Sequence, residues 1–206
     1  MSKAQIFEPI QWRQPAGETG CVNYAMANLF NEDLFIEYIN GDGKADIQDI
    51  IRMTEWANEI LSKLDEFSIE IEPIEIFACP PIGIMGPEAF HDVMLYFDLF
   101  TGQKEIYYPA ILSWHTGKDE YHAAAALIEM CADRKEFNII LIDSAEYDTP
   151  IELTNITLCK SRELVSIILF EDKSMQCDDI PNAVFTLQYT PQQLPHIFST
   201  RDTWTA

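Results

Sequence analysis

"YHAAAALIEMCADRKEFNIILIDS", Tyr121 to Ser144, decides how the second half of this chain folds. Two apolar runs, "YHAAAALIEM" and "FNIILID", flank the polar "CADR", a punctuation that predicts a β-hairpin. With the loop at Cys131 to Arg134, Met130 faces Lys135, and counting back along both strands sets His122 directly opposite Asp143. Directly opposed residues share a face, with Cβ atoms about 4.5–5.5 Å apart. A carboxylate at that reach holds an imidazole in one tautomer and stabilises its protonated form. A register error of one residue would put the two on opposite faces. Ala123 to Ala126 leave little bulk beside the histidine, so another element can approach this strand closely.

Outward from the hairpin, "IYYPAILSW", "LVSIILFED" and "AVFTLQY" are further short apolar runs between polar turns, consistent with an antiparallel sheet. The first half has a different rhythm. Val22, Ala25, Met26 and Leu29 recur at helical spacing. In "ADIQDIIRMTEWANEILSKLDEF", Asp46 is positioned as an N-cap for a stripe of Ile47, Ile50, Ile51, Thr54, Ala57, Leu61 and Leu64. "IEIEPIEIFACPPIGIMGP" alternates Ile with Glu before prolines interrupt it, which predicts an extended edge segment and then a loop. "PEAFHDVMLYFDLFTG" predicts a third helix, with Pro87 in its first turn and Gly102 past its end. The expected class is α+β, with N-terminal helices packed on a C-terminal antiparallel sheet. There is no internal repeat and no Gly-, Ser- or Pro-rich linker, so a single domain over 1–206 is expected, its tail from Thr190 to Ala206 a wrapping segment.

Composition narrows the function. With 34 acidic and 13 basic residues the formal net charge is -21, which repels phosphate backbones and argues against nucleic acid as a partner. A well-solvated surface accounts for the acidity, and a basic partner or basic peptide substrate is the sharper alternative. The N-terminus "MSKAQIFEPIQW" lacks the basic-then-apolar signal pattern, and no uncharged apolar run is long enough to cross a bilayer. The five cysteines, Cys21, Cys79, Cys131, Cys159 and Cys177, are scattered with no C-x-x-C, suggesting neither zinc nor a disulfide framework. A reducing compartment is the simplest reading: a cytoplasmic protein, or one exported without a cleaved signal peptide, with no metal and no cofactor.

Cys21 opens the helical run "CVNYAMANLFNE" behind the turn-like "GETG". At a helix's first turn, free N–H groups and the helix dipole favour thiolate over thiol. Beside His122 such a thiolate could attack a carbonyl carbon while the imidazole delivers a proton to the leaving group. Glycines at 17 and 20 let a substrate reach the sulfur unobstructed.

A Gln upstream of "GC", a helix opened by that Cys, then a strand-leading His and a strand-ending Asp resemble the papain-like cysteine peptidases. "GCVNYAMANLFN" is similar to the nucleophile helix of the bacteriocin-processing and Josephin-type branches, and "HAAAALIE…NIILIDS" to the His and Asp strands of that superfamily, ubiquitin-like-protein proteases included. The resemblance spans Gln11 to Ser144 and implies Cys21 as nucleophile, His122 as acid/base and Asp143 as the residue that orients it. It also implies an oxyanion-stabilising Gln about five or six residues before the Cys. Gln14 precedes Cys21 by seven and Gln11 by ten. Gln14 is the candidate, through a longer turn, with backbone N–H groups near Cys21 as the other source of donors. The implied activity is thiol-dependent acyl transfer, with peptide or isopeptide hydrolysis of a protein or peptide substrate, ubiquitin-like proteins among them. A glutamine deamidase or transglutaminase of the same fold, or an acidic binding protein that has lost activity, are the alternatives.

The rival groups read more weakly. His115 in "SWHTGKDEYH" is expected on a loop, and His91 on the solvated side of the third helix. Cys79 precedes two prolines, Cys131 falls in the hairpin turn, Cys159 in a polar connection, and Cys177 beside two aspartates that disfavour a thiolate.

Overall fold

The computed structural model describes residues 9–38, 47–64, 71–78, 84–101, 107–117, 120–130, 136–172 and 184–187. The hairpin at its centre pairs β2 (Tyr107–Gly117) with β3 (Glu120–Met130), and β3 then pairs with β4 (Phe137–Ile142). In β4 buried and half-buried side chains alternate, the period-two pattern of a strand between two layers. With β1 (Ile71–Ala78), β5 (Ile151–Thr154), β6 (Glu163–Asp172) and β7 (Val184–Leu187) the sheet runs β5-β4-β3-β2-β6-β1-β7. Every neighbouring pair is antiparallel except β1 and β7, which run parallel.

Helices cover both faces. α1 (Cys21–Phe30), α2 (Leu34–Glu37) and α3 (Ile47–Lys63) bury Val22, Met26, Phe35, Ile50, Met53 and Ala57 against Ile111, Ala123, Ala125, Ile168 and Phe170. On the opposite face α4 (Pro87–Thr101) and α5 (Asn155–Ser161) share a core with Phe90, Met94, Tyr108, Leu112, Trp114, Phe137, Ile139 and Leu169. The alanines of β3 divide between the two cores: Ala123 and Ala125 meet α1, while Ala124 and Ala126 face α4 and α5. Because these side chains end at Cβ, α1 packs directly on β3.

The α+β class holds, as does the packing of the N-terminal helices on a largely antiparallel sheet, with three corrections of detail. The helices and strands interleave rather than segregate: β1 lies between α3 and α4, and α5 between β5 and β6. The Ile-Glu alternation does give a strand, but β1 is interior to the sheet, with β6 on one side and β7 on the other. Pro73 is accommodated because the β7 partners begin only at Glu75. In α3 the expected stripe holds at Ile50, Thr54, Ala57 and Leu61 and gains Met53, while Ile51 is only half-buried and Leu64 lies past the helix end and is exposed. Pro87 occupies the first position of α4, where its missing N–H costs nothing. Asp46, Gly102, Cys79, Cys131, Cys177 and the tail from Thr190 lie outside the described residues.

Candidate active site

Gly20 sets the start of α1. Its φ of 104° lies in the left-handed region, where a side chain is strained, and the chain turns there into the helix that Cys21 begins. No side chain caps this end. The first bonded amide is Tyr24 N–H, donating to the Gly20 carbonyl at 3.2 Å, so the N–H groups of Cys21, Val22 and Asn23 have no partner within the helix. Farther along, buried Asn23 donates through Nδ2 to the carbonyls of Phe35 at 2.8 Å and Tyr38 at 2.9 Å, tying α1 to the chain around α2.

His122 stands on β3 where β4 has already left the sheet. The observed pairing runs from Met130↔Phe137 to Ala125↔Ile142, so the connection is two residues longer than the expected "CADR" loop. The expected direct opposition of His122 and Asp143 is therefore corrected. Extending the ladder by one step sets Asp143 across from Ala124, on the same face as His122 but diagonal to it. A shift of two preserves side-chain parity where a shift of one would not. The diagonal is short enough: His122 Nε2 lies 2.9 Å from Asp143 Oδ1.

The turn after β4 holds the carboxylate. Fully buried Asp143 accepts, through the same Oδ1, from Ala145 N–H at 3.1 Å and Glu146 N–H at 3.3 Å, and its own carbonyl accepts from Tyr147 N–H at 3.0 Å. The rings of buried Trp114 and His122 meet in a T-shaped arrangement, their centroids 4.9 Å apart. With Nε2 bonded to Asp143, Nδ1 is the ring nitrogen left for Cys21, which is within hydrogen-bonding reach of the imidazole. Burial pushes the His122 pKa down, but hydrogen bonds to Asp143 and Cys21, together with their charges, outweigh it and raise the pKa to about 9. Three groups from α1, β3 and the turn after β4 thus lie together.

A strap of chain fixes their spacing. Ile10 N–H donates to the Asp148 carbonyl at 2.9 Å and Gln14 N–H to the Ser144 carbonyl at 3.2 Å. Arg13 pairs with Asp148, and Trp12 exchanges bonds with the Asn28 side chain at 3.2 and 2.8 Å. Residues 10–14 therefore join α1 to the turn that carries Asp143. Gln14 Nε2 donates to the Glu18 carbonyl at 2.7 Å, while its buried Oε1 has no partner among the described residues. Gln11 is exposed.

The rivals fall away on geometry. His115 lies on β2 rather than on a loop, paired with Tyr121 and facing away from His122, its ring 4.5 Å from the Tyr121 ring. His91 is half-buried rather than solvated, 5.5 Å from the Phe137 ring. Cys159 sits on α5, not in a polar connection, and packs against the core, where burial pushes its thiol up to about 11. Among the described residues no three or more His, Cys, Asp or Glu gather to hold a metal, and no helix is long and apolar enough to cross a membrane.

Sequence reasoning did not single out Trp114 as a neighbour of the histidine. The pairing that sets Trp114 opposite His122 depends on a register shift between His115 and Gly117, which a count along the sequence does not supply. A scan of protein-family models, a search of curated proteins and a search of solved structures find no match to this chain.

Proposed function

We propose that the chain is a papain-like cysteine hydrolase that performs thiol-dependent acyl transfer on a protein or peptide substrate. The observation that carries this reading is one imidazole shared between a carboxylate at 2.9 Å and a cysteine at the first residue of a helix. A helix terminus and an imidazolium both favour a sulfur anion beside them. In the proposed reaction the Cys21 thiolate attacks the substrate carbonyl, the C–N bond breaks, and the His122 imidazolium gives its proton to the departing amine. Water then adds to the thioester as neutral His122 takes its proton. The acid leaves, and the sulfur departs as a thiolate beside the regenerated imidazolium. Unpaired N–H groups of the first turn of α1 supply donors for the oxyanion.

The Gln14 amide turned onto Glu18 favours a second reading, a non-catalytic binding protein. Labelling separates the two. Iodoacetamide at neutral pH should modify Cys21 about tenfold or more faster than Cys159, and His122→Ala should abolish that preference. Equal labelling of the cysteines in the parent protein would favour the binder. Profiling against peptide and ubiquitin-like substrates then identifies what is cleaved.

The histidine also sets a pH dependence. Turnover should have its alkaline limb near pH 9, where the general acid loses its proton. Stability follows the same group. A folded-state pKa above the ordinary 6.5 contributes stability that is complete below about pH 6.5 and is lost as pH rises through about 9. Denaturation midpoints at pH 6 and pH 9.5 in parent and His122→Ala proteins measure this. An identical pH response in both would remove His122 as its source.

A further inference from the structure

Arg162 is the C-cap residue of α5, its N–H donating to the Leu158 carbonyl at 2.9 Å. Its side chain runs inward and is only 11% exposed. The guanidinium carbon lies 4.8 Å from the centroid of the Trp114 ring, which meets the His122 imidazole in a T-shaped contact. Nη2 donates to Glu146 Oε2 at 2.7 Å and to the Tyr147 hydroxyl at 3.3 Å. The backbone N–H groups of those same two residues bond to Asp143, Glu146 to Oδ1 and Tyr147 to the carbonyl. One cation therefore touches both supports of the pair: the ring behind the imidazole and the turn around the carboxylate.

Its Nε is buried without a partner among the described residues. An incompletely matched buried charge opposes stability relative to an apolar side chain, so what Arg162 contributes lies in the arrangement it enforces. Arginine suits that task, because its planar fork can stack on an aromatic face while its edge donates hydrogen bonds.

We propose that Arg162 is a positioning residue that holds His122 and Asp143 in register, acting through Trp114 on one side and the Glu146–Tyr147 turn on the other. The inference rests on reading Cys21, His122 and Asp143 as the reacting set. Among the described residues, the charged or titratable groups around the imidazole are Cys21 from α1, Asp143 from the turn after β4, Glu120 two residues back on β3, and beyond Trp114 the Arg162–Glu146 pair.

The test is the titration of His122, followed by NMR of its carbon-bound ring protons in the full chain, in Arg162→Met and Arg162→Lys. Coulomb's law alone predicts that removing a cation makes the imidazole easier to protonate, so a bystander charge would raise the His122 midpoint in Arg162→Met and leave it unchanged in Arg162→Lys. Loss of positioning predicts the opposite: a lower midpoint in Arg162→Met and, with charge retained but the fork gone, a smaller fall in Arg162→Lys. Turnover should fall about tenfold or more in Arg162→Met with KM little changed, because a misplaced acid/base affects chemistry rather than binding. Should Arg162→Met fail to fold, Arg162→Lys carries the test by itself. An unchanged midpoint in Arg162→Lys, or a raised one in Arg162→Met, overturns the proposal whatever happens to thermal stability. Failure of the catalytic reading is separate: the midpoint would move as expected while Cys21 of the parent protein alkylates no faster than Cys159.

Discussion

Cys21→Ala is expected to lower turnover by about a hundred-thousand-fold or more, because the bond-forming atom is removed and the remaining groups act only as a unit. The same substitution should cost about 1 kcal/mol or less of folding stability. Cys21 lies half-buried at the margin of the core that α1 forms with β3, and alanine keeps the helix. Single-turnover kinetics on a cleaved substrate and urea denaturation, run on one preparation, read both quantities. A loss of several kcal/mol with turnover intact would identify the sulfur as a packing group, since cavities in well-filled cores carry costs of that size.

Asp143→Ala should reduce kcat by about a thousand-fold and move KM by less than about threefold, the pattern of an orienting group lost from the transition state. Here stability falls as well, by about 1–2 kcal/mol, because the Ala145 and Glu146 N–H groups lose their charged acceptor, while water can reach these two exposed residues. Asp143→Asn divides geometry from charge. All three hydrogen bonds end on Oδ1, which an amide oxygen can replace, so the imidazole stays oriented but loses its counter-charge. The expected result is a milder loss of kcat and an alkaline limb displaced to lower pH. Equal kcat in parent and Asp143→Ala proteins would remove the carboxylate from the mechanism.

The hairpin arithmetic shows how much of this site was legible in the sequence. Composition marks where a strand stops but does not fix how many residues the connection contains, so the register came out two positions off. The His122–Asp143 contact survived because the error was even, and the alternation of faces depends only on parity. The small side chains of Ala123 and Ala125 correctly marked where α1 would dock. β5 and α5 escaped notice because four and seven residues are too few for a period to develop. α5 did have a local sign, Thr154, whose hydroxyl accepts from the Thr157 N–H as an N-cap. Arg162 left no trace, since an arginine ending a short helix looks solvated until the indole beneath it is placed. The sheet order was equally illegible: that β6 lies between β2 and β1 follows from pairings far apart in the chain.

The strap at residues 10–14 has a kinetic corollary. The Arg13–Asp148 pair joins positions 135 apart, so one clasp beside the reacting groups encloses most of the chain's length. The entropy of closing so wide a loop rises only about 0.6 kcal/mol per doubling of its length, but the search for its ends is slow. On the catalytic reading proposed above, a nascent or partly refolded chain completes its central β-meander before the clasp closes, and activity is expected to arrive late in maturation.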